Sequence, residues 1–275
     1  MNAEEIAQLA SLCRGRAGLK VALDKTYLIE SRLSPVARRE GFDSVSDLLA
    51  AIRERREEAL AWAVVEAMAA GETAFFRDRA PFAEFKDEIA PRLAKARGGA
   101  PVKVWSAACA TGQEVHSLAM IAAELAEAGA AKLDLAASDL SRLALERAQA
   151  GLYNQFEVQR GLPIRLLARH FEKEGDQWRL SSAVREGVRW RRINLVAGLR
   201  GIGRFDVVFC RYVLRHMTDE ARKKVLDDLA FVVPDDGLLV LGVDESCQGA
   251  SDAFQPVVGR PGLFRRNPAH EMAAA

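Results

Sequence analysis

The chain has 275 residues, of which 49% are hydrophobic and 28% are charged, and its formal net charge is +1. This size allows one large domain and one small domain, and the balanced charge argues against a nucleic-acid or membrane-surface partner. The sequence shows no signal peptide, no apolar run of about 18 residues and no zinc-like spacing of cysteines and histidines, which argues against membrane insertion and metal binding and favours a cytoplasmic protein with reduced thiols.

Residues 1–70 predict an all-α N-terminal domain. Apolar residues recur at helical spacing near the start of the chain, and the pattern continues over residues 27–41. Ser34-Pro35 predicts that a new or kinked helix begins there, because proline is favoured at the first helical position after a serine cap. A further helix is expected to begin near Ser44.

Residues 71–100 are expected to form a linker and the start of a second domain, which extends over residues 101–275. Strand-like apolar runs alternate there with helical patterns. The strands are expected at residues 102–107, 132–138, 205–210 and 238–243, and the helices at residues 116–129, 140–151 and 220–233. This alternation predicts an α/β fold with a doubly wound, mainly parallel sheet. Residues 172–193 alternate charged and apolar side chains, which predicts a small inserted antiparallel β subdomain.

The turn after the first predicted strand is the strongest local indication of a ligand site. Residues 104–119 run from a strand through small residues, a glycine turn and the acidic Glu114 into a helical pattern. Such a turn presents backbone N–H groups to a ligand, although an ordinary strand-to-helix turn has the same pattern. The segment matches neither the dinucleotide GxGxxG pattern nor the P-loop. Asp139 closes the second apolar run, where ribose-binding α/β folds place a carboxylate.

Residues 73–77, Thr-Ala-Phe-Phe-Arg, lie at the join between the two predicted domains. In one interpretation, the two phenylalanines pack in a core and leave Arg77 on the surface. In the other, the segment belongs to a ligand site, because such sites prefer clefts between domains and an arginine beside a hydroxyl can hold a carboxylate. The residues alone leave both interpretations open.

Taken in chain order, these segments resemble the CheR-type chemotaxis receptor methyltransferases. Residues 71–78 (GETAFFRD) resemble the family's NETxFFRD motif, and residues 105–120 resemble its WSAxxSTGxEPYSLAM segment. Further similar motifs occur at residues 138–141, 150–153, 161–163, 193–195, 205–213 and 241–246. Residues 1–70 also resemble the family's helical N-terminal domain, so the resemblance covers essentially the whole chain.

The resemblance implies a Rossmann-like methyltransferase domain that uses S-adenosylmethionine to form methyl esters on glutamate side chains of methyl-accepting chemotaxis receptors. The family's cofactor-binding residues fall on Thr73, Arg77, Ala108, Glu114, Asp139, Asn194, Leu195, Arg211 and Tyr212. Glu114 would meet the cofactor's ammonium group, Asp139 would accept from its ribose hydroxyls, and Asn194 with Leu195 would flank the adenine. The residues implied for catalysis are Arg77, Arg211 and His216.

The chemistry expected for this reaction needs no general base. A glutamate carboxylate has an ordinary pKa near 4.3 and is already ionised at neutral pH. Methyl transfer from a sulfonium would be an in-line displacement in which opposite charges neutralise, so positioning and partial removal of water are the main contributions of the protein. Arg77 is expected to orient a carboxylate, either that of the substrate or that of the cofactor.

The chain departs from the family pattern at five positions, of which Gln113 and His116 replace a glutamate and a tyrosine in the turn motif beside the retained Glu114. Gly71 and Tyr212 each replace an asparagine, and His216 replaces a tyrosine near the site of methyl transfer. Tyr212 is the largest departure, because a ring replaces a small amide. Two functions therefore remain open: an active protein-glutamate methyltransferase, and an adaptor that binds cofactor or receptor with weak or no methyl transfer. A nucleic-acid methyltransferase is disfavoured by the balanced charge.

The expected partners are the cytoplasmic signalling helices of chemoreceptors. These helices are acidic, and Arg32, Arg38 and Arg39 can share one side of a helix and form a complementary basic face. In some relatives the β insertion binds a carboxy-terminal receptor pentapeptide by strand addition. The insertion looks several residues shorter in this chain, which predicts recognition of receptors without pentapeptide tethering.

Overall fold

The computed structural model describes residues 1–22 and 26–270. Residues 23–25 of the predicted helical domain and residues 271–275 of the predicted second domain lie outside the described residues. The predicted fold class is confirmed: an all-α part precedes an α/β part that carries a small antiparallel sheet. Over the two described ranges, no helix is both long and apolar enough to cross a membrane.

The N-terminal part consists of four helices. They are α1 (Ala3–Ala17), α2 (Thr26–Arg39), α3 (Val45–Arg55) and α4 (Glu58–Ala69). Asn2 caps α1 in a capping box with Glu5, and Ser44 caps α3 by accepting from the N–H of Asp47, which fixes both starting points. The apolar faces of the helices meet in a core of their own that includes Leu9, Leu33, Leu48 and Val64.

The start of a new helix predicted at Pro35 is wrong, because α2 runs through this residue. Ser34 does not cap a new helix; its hydroxyl donates to the carbonyl of Glu30 at 2.7 Å. Pro35 is exposed, so the carbonyl that loses its helical hydrogen bond can be solvated by water. A proline at such a position removes one bond without ending the helix.

The second part is built on a seven-stranded sheet. Its order is β6-β2-β1-β7-β8-β10-β9, with the first five strands parallel and β10 antiparallel to both of its neighbours. The strands are β1 (Val102–Ala107), β2 (Leu133–Asp139), β6 (Val188–Arg192), β7 (Val207–Phe209), β8 (Leu238–Val240), β9 (Phe254–Pro256) and β10 (Leu263–Arg266). The inner strands are almost entirely buried, as expected when helices cover both faces of a parallel sheet.

The helices of this part cover the two faces of the sheet and give it two separate cores. One core contains Phe75, Val104 and Tyr153, and the other contains Trp105, Val208 and Leu229. The helices are α5 (Ala80–Glu84), a π-helical turn (Phe85–Ile89), α6 (Ala90–Ala96), α7 (Gln113–Glu127), α8 (Arg142–Ala150), α9 (Gln155–Gln159), α10 (Ile164–His170), α11 (Ser182–Arg185) and α12 (Asp219–Val232), with 3-10 turns at Leu195–Ala197 and Leu214–His216.

The small antiparallel sheet differs in its bounds from the predicted insertion at 172–193. It contains β3 (Leu152–Asn154), β4 (Phe171–Glu174) and β5 (Gln177–Leu180) in the order β3-β5-β4. The second half of the predicted range, Val188–Arg192, is instead β6, an edge strand of the main sheet parallel to β2. An edge strand has one solvated face, so its side chains alternate as they do in a surface hairpin, and the pattern alone cannot distinguish the two.

The helical part contacts the α/β part through backbone hydrogen bonds. The N–H of Lys20 donates to the carbonyl of His216 at 2.8 Å, and the N–H of Thr218 donates to the carbonyl of Gly18 at 2.7 Å. Gly18 has a φ of +64°, and any Cβ at this position would collide with Ala221 on α12. The chain therefore passes over the carboxyl end of the sheet at a point that only glycine fits.

Protonation of His116 is expected to destabilise the fold in mild acid. This side chain on α7 is fully buried, its Nε2 lies 3.0 Å from the carbonyl oxygen of Ala148, and burial lowers its pKa from 6.5 to about 4. Below pH 6.5 the unfolded chain therefore binds a proton that the folded protein excludes. The free energy of unfolding should fall as the pH drops from 6.5 towards 4, by up to about 1.4 kcal/mol per pH unit.

The matched variant for this prediction is His116→Gln, which keeps a donor for Ala148 but cannot titrate. Urea unfolding of both proteins at about pH 7 and about pH 5 measures the difference. The variant should lose less stability between the two conditions. Equal losses would show that His116 does not carry this pH dependence.

Candidate functional site

The turn that follows β1 has a backbone conformation that side chains rarely adopt. Ala108, Ala110 and Gly112 have φ values of +59°, +48° and +93°, in the region that favours glycine. A Cβ at Gly112 would lie 2.8 Å from the Cβ of Ala148, so a larger residue does not fit. Each alanine in this conformation costs about 1 to 3 kcal/mol, and such strain is concentrated at ligand-binding turns.

Asp139 lies at the end of β2 beside this turn. Its Oδ2 accepts from the N–H of Ala110 and its Oδ1 from the N–H of Ser141, both at 2.9 Å. Burial raises the pKa of Asp139, and the backbone N–H groups partly oppose this shift. Each carboxylate oxygen still has a lone pair for a further donor, so the side chain can accept from the two hydroxyls of a diol.

Glu114 and Arg211 form a buried ion pair between the start of α7 and the end of β7. Arg211 Nη1 lies 3.1 Å from Glu114 Oε2, and the hydroxyl of Ser106 donates to Glu114 Oε1 at 2.7 Å. Arg211 Nη2 also donates to Asp78 Oδ2 at 2.6 Å and to the carbonyl of Arg77 at 2.8 Å. The Arg211 side chain is 1% exposed, so these partners replace nearly all of its hydration.

One donor of this arginine has no acceptor. Within the described ranges, the buried Nε of Arg211 has no hydrogen-bond partner. A buried N–H without an acceptor costs about 1 to 3 kcal/mol, and more in a charged group. An acceptor brought to this nitrogen would satisfy it, which makes Arg211 a candidate ligand contact.

Tyr212 is held in a cage of charged groups beside this pair. Its backbone has a φ of +61°, and its hydroxyl donates to Asp78, the same carboxylate that accepts from Arg211. The guanidinium carbons of Arg77 and Arg215 lie 3.7 Å and 4.7 Å from the centre of the ring. Desolvation and the bond to Asp78 raise the pKa of Tyr212, so its hydroxyl stays protonated and donates at neutral pH.

The ring of Tyr212 fits because Gly242 lies beneath it. A Cβ at Gly242 would be 2.5 Å from the Cε1 of the ring. Glu245 Oε2 accepts from the N–H groups of both residues, at 2.6 Å from Tyr212 and 2.9 Å from Gly242. The two residues thus occupy one fixed arrangement, in which the large ring is accommodated next to the ion pair.

Both interpretations of residues 73–77 (Thr-Ala-Phe-Phe-Arg), as part of the core and as part of a ligand site, apply to different side chains of the segment. Phe75 is fully buried and packs edge-to-face on Tyr153, with 5.0 Å between ring centres. Arg77 donates from Nη1 to the carbonyl of Glu72 at 2.9 Å and stacks on Tyr212. Thr73 is half-buried in the preceding loop. Phe75 therefore belongs to the core. Arg77 belongs to the cluster around Arg211, which also contains Asp78, Glu114 and Tyr212.

Asn194, Leu195 and His216 lie in segments that contact the helical part. Asn194 Nδ2 donates to the carbonyl of Arg16 at 2.7 Å, and Leu195 is buried. His216 is exposed at the contact with the helical part, yet partial desolvation lowers its pKa, and the charges of Arg215 and Arg32 lower it further. Its hydrogen bond to Lys20 is made by the backbone carbonyl, which leaves the imidazole available to another molecule.

Three side chains that contact predicted site residues were not assigned a role from the sequence. Ser106, Asp78 and Glu245 each bind a predicted site residue. All three lie within motifs already described: Asp78 in residues 71–78, Ser106 in residues 105–120 and Glu245 in residues 241–246. The roles of Asp78 and Glu245 depend on contacts with Arg211 and Tyr212 in distant segments, which no local pattern encodes.

Comparisons with known proteins identify the family to which this chain is similar. Residues 71–262 match the family model described as the CheR methyltransferase, SAM binding domain, and residues 4–68 match its all-alpha domain. The chain is 35% identical over 254 residues to chemotaxis protein methyltransferase 1 of Pseudomonas aeruginosa, covering 90% of this chain and 92% of that protein. It is 34% identical over 265 residues to a chemotaxis protein methyltransferase of Vibrio parahaemolyticus, covering 95% and 96%.

Filling the space at Gly242 is expected to displace the Tyr212 ring. Gly242→Ala should lower the free energy of unfolding by about 1 to 3 kcal/mol, the usual effect of overpacking. In a Tyr212→Asn background the same change should be nearly neutral, because the smaller side chain leaves room. Thermal unfolding of the four proteins gives the coupling energy.

Gly15→Ala is the control for this cycle, since nothing lies within 4 Å of a Cβ at that position on α1. It should leave stability unchanged or raise it. If Gly242→Ala destabilised both backgrounds equally, the contact with the Tyr212 ring would not be the cause.

Proposed function

The chain belongs to the CheR methyltransferase family and has its S-adenosylmethionine-binding domain, and we propose that it forms methyl esters on glutamate side chains of chemoreceptors. The observation that carries this proposal is the buried Arg211, whose Nε lacks an acceptor while its other nitrogens are fixed by Glu114 and Asp78. A guanidinium held in this way, next to a second one at Arg77, suits the recognition of carboxylates.

The residues around the strained turn fit S-adenosylmethionine. Asp139 would accept from the ribose hydroxyls, and Glu114 would accept from the ammonium group through lone pairs that Ser106 and Arg211 leave free. Asn194 and Leu195 would flank the adenine, and the positive φ at Ala108 would allow the backbone to approach closely. Thr73 and Tyr212 would complete the site near the reacting end.

Positioning by arginines is the main contribution of the protein to the reaction. S-adenosylmethionine, when bound, supplies an electrophilic methyl group on a sulfonium. Arg77 would orient the substrate carboxylate, because its guanidinium carbon is held 3.7 Å from the centre of the Tyr212 ring. Arg211 would hold a carboxylate oxygen through its free Nε–H. Such alignment of two reactants can lower the barrier by roughly 7 kcal/mol or more.

His216 would act by hydrogen bonding and not by proton transfer. Its pKa is lowered, so the imidazole is neutral at physiological pH and can donate one hydrogen bond. The substrate carboxylate is ionised and needs no base. A neutral donor at the contact between the two parts can therefore help to hold the glutamate while Arg77 and Arg211 compensate its charge.

The receptor helix would dock on the helical part of the protein. Arg32, Arg38 and Arg39 are all exposed on α2, and the charge of Arg32 reaches His216. An acidic helix on this face would bring its glutamates towards the cluster around Arg211. In this proposal the protein acts in the cytoplasm, where the signalling helices lie.

The protein would recognise receptors without binding their carboxy-terminal pentapeptide. The edge strand β4 has four residues and presents Glu172 and Glu174 beside a tight Gly175-Asp176 turn. A strand this short offers few backbone partners to an added peptide. An adaptor without transferase activity is the second candidate, because the caged Tyr212 stands where the family has an asparagine.

Methyl transfer to receptors is the direct test of the proposed function. The protein should transfer labelled methyl groups from S-adenosylmethionine to receptor-rich membranes as base-labile esters on glutamates. Receptors without their last five residues should be methylated at the same rate. Binding of cofactor with no transfer to any receptor would reject the enzyme in favour of the adaptor, and a strong loss after the truncation would reject tether-free recognition.

Removing the Asp139 carboxylate should weaken cofactor binding. Asp139→Ala is expected to raise the dissociation constant of S-adenosylhomocysteine by about 10- to 100-fold, because hydrogen bonds to a charged group contribute about 1.5 to 3 kcal/mol. Calorimetry measures this constant without a receptor. Asp134→Ala is the matched control, since Asp134 lies on the same strand and pairs with Arg189 at 2.8 Å. Normal affinity of Asp139→Ala would refute the ribose assignment.

A further inference from the structure

Glu66 is a side chain of the helical part that reaches into the α/β part. It lies near the end of α4, and its side chain is 14% exposed. Its Oε2 accepts from the N–H of Arg142 at 3.0 Å, and its Oε1 accepts from Arg192 Nη2 at 2.7 Å. One carboxylate thereby joins two segments that follow neighbouring strands of the sheet, β2 and β6.

The first of these segments carries Asp139. Arg142 is the first residue of α8, and its N–H is one of those that a helix cannot satisfy internally. A carboxylate at this end is also favoured by the helix dipole. Ser141, one residue earlier, donates its N–H to Asp139 Oδ1. Glu66 therefore holds the short loop that orients the predicted ribose-binding carboxylate.

The second segment leads to Asn194. Arg192 ends β6, and its Nε donates to the carbonyl of Leu140 at 3.0 Å, so its guanidinium links the two segments directly. The N–H of Ile193 donates to the carbonyl of Asp139 at 3.1 Å. Asn194 then donates to the carbonyl of Arg16 on α1. Both segments that would flank the adenosine are thus held by the helical part.

We propose that Glu66 is a positioning residue for the adenosine half of the cofactor. Through Glu66, cofactor binding is coupled to the binding of a receptor helix on the helical part. The inference rests on the proposed cofactor roles of Asp139 and Asn194. Coupling between two binding events is reciprocal. A receptor helix that binds α2 and shifts α4 changes the affinity for the cofactor, and bound cofactor changes the affinity for the receptor by the same factor.

The test measures binding of S-adenosylhomocysteine and of adenosine by calorimetry, without a receptor. Glu66→Ala should weaken both ligands by about tenfold, since it releases one charge-assisted bond on each segment. Glu66→Gln keeps one acceptor oxygen and should restore part of the affinity. A role in folding alone would lower the unfolding temperature and leave both dissociation constants unchanged, which would overturn the proposal.

The matched control is Lys20→Met, which breaks another ion pair between the two parts, that of Lys20 with Asp219 at 2.9 Å. This pair does not contact the adenosine segments, so S-adenosylhomocysteine should bind normally. An equal loss in Lys20→Met would mean that general loosening is responsible and would reject a specific role of Glu66.

Arg192→Met tests the proposal if the Glu66 variant does not fold, and Asp139→Ala separates this proposal from the cofactor assignment. If Glu66→Ala does not fold, Arg192→Met removes the other half of the pair and should weaken both ligands in the same direction; unchanged affinity would overturn the proposal. Failure of the cofactor assignment is recognised separately. Normal binding by Asp139→Ala would refute that assignment, whereas weak binding by Asp139→Ala with normal binding by the Glu66 variants would reject only the coupling.

Discussion

The site depends on one buried guanidinium. Arg211 is almost completely removed from water, and its charge is tolerated because Glu114 and Asp78 lie on either side of it. Breaking a buried ion pair by removing one partner typically destabilises by about 3 to 5 kcal/mol. The strained turn, the caged Tyr212 ring and the left-handed backbone at Asp78 are all arranged around this group.

The sheet was largely predictable because its inner strands are continuous apolar runs. The first strand lies at the predicted residues, Val102–Ala107, whereas β6 was misassigned because an edge strand alternates like a hairpin. Asp139, Glu114 and Arg211 were found through motifs. Glu66 was not, since its bonds to Arg142 and Arg192 join segments whose proximity depends on the whole fold.

Tyr212 shows why a substitution is difficult to judge from sequence alone. Replacing an amide by a ring suggested a steric conflict. In the structure, the ring lies over Gly242 and its hydroxyl joins the carboxylate that already holds Arg211. The replacement therefore adds a donor and a surface for Arg77. Whether a large residue is accommodated depends on the free volume around it, and that volume is formed by residues elsewhere in the chain.

The contact between the loop after α1 and the segment after β7 also affects the order in which the molecule forms. Lys20 and Asp219 are 199 positions apart. Ribosomes add about 5 to 20 residues per second, and N-terminal domains generally fold first. The four-helix unit can thus form its own core before β1 to β7 have been synthesised. Until the segment after β7 has left the ribosome, the surface around Gly18 has no partner. Chaperones or incorrect segments of the nascent chain can bind this surface during that time.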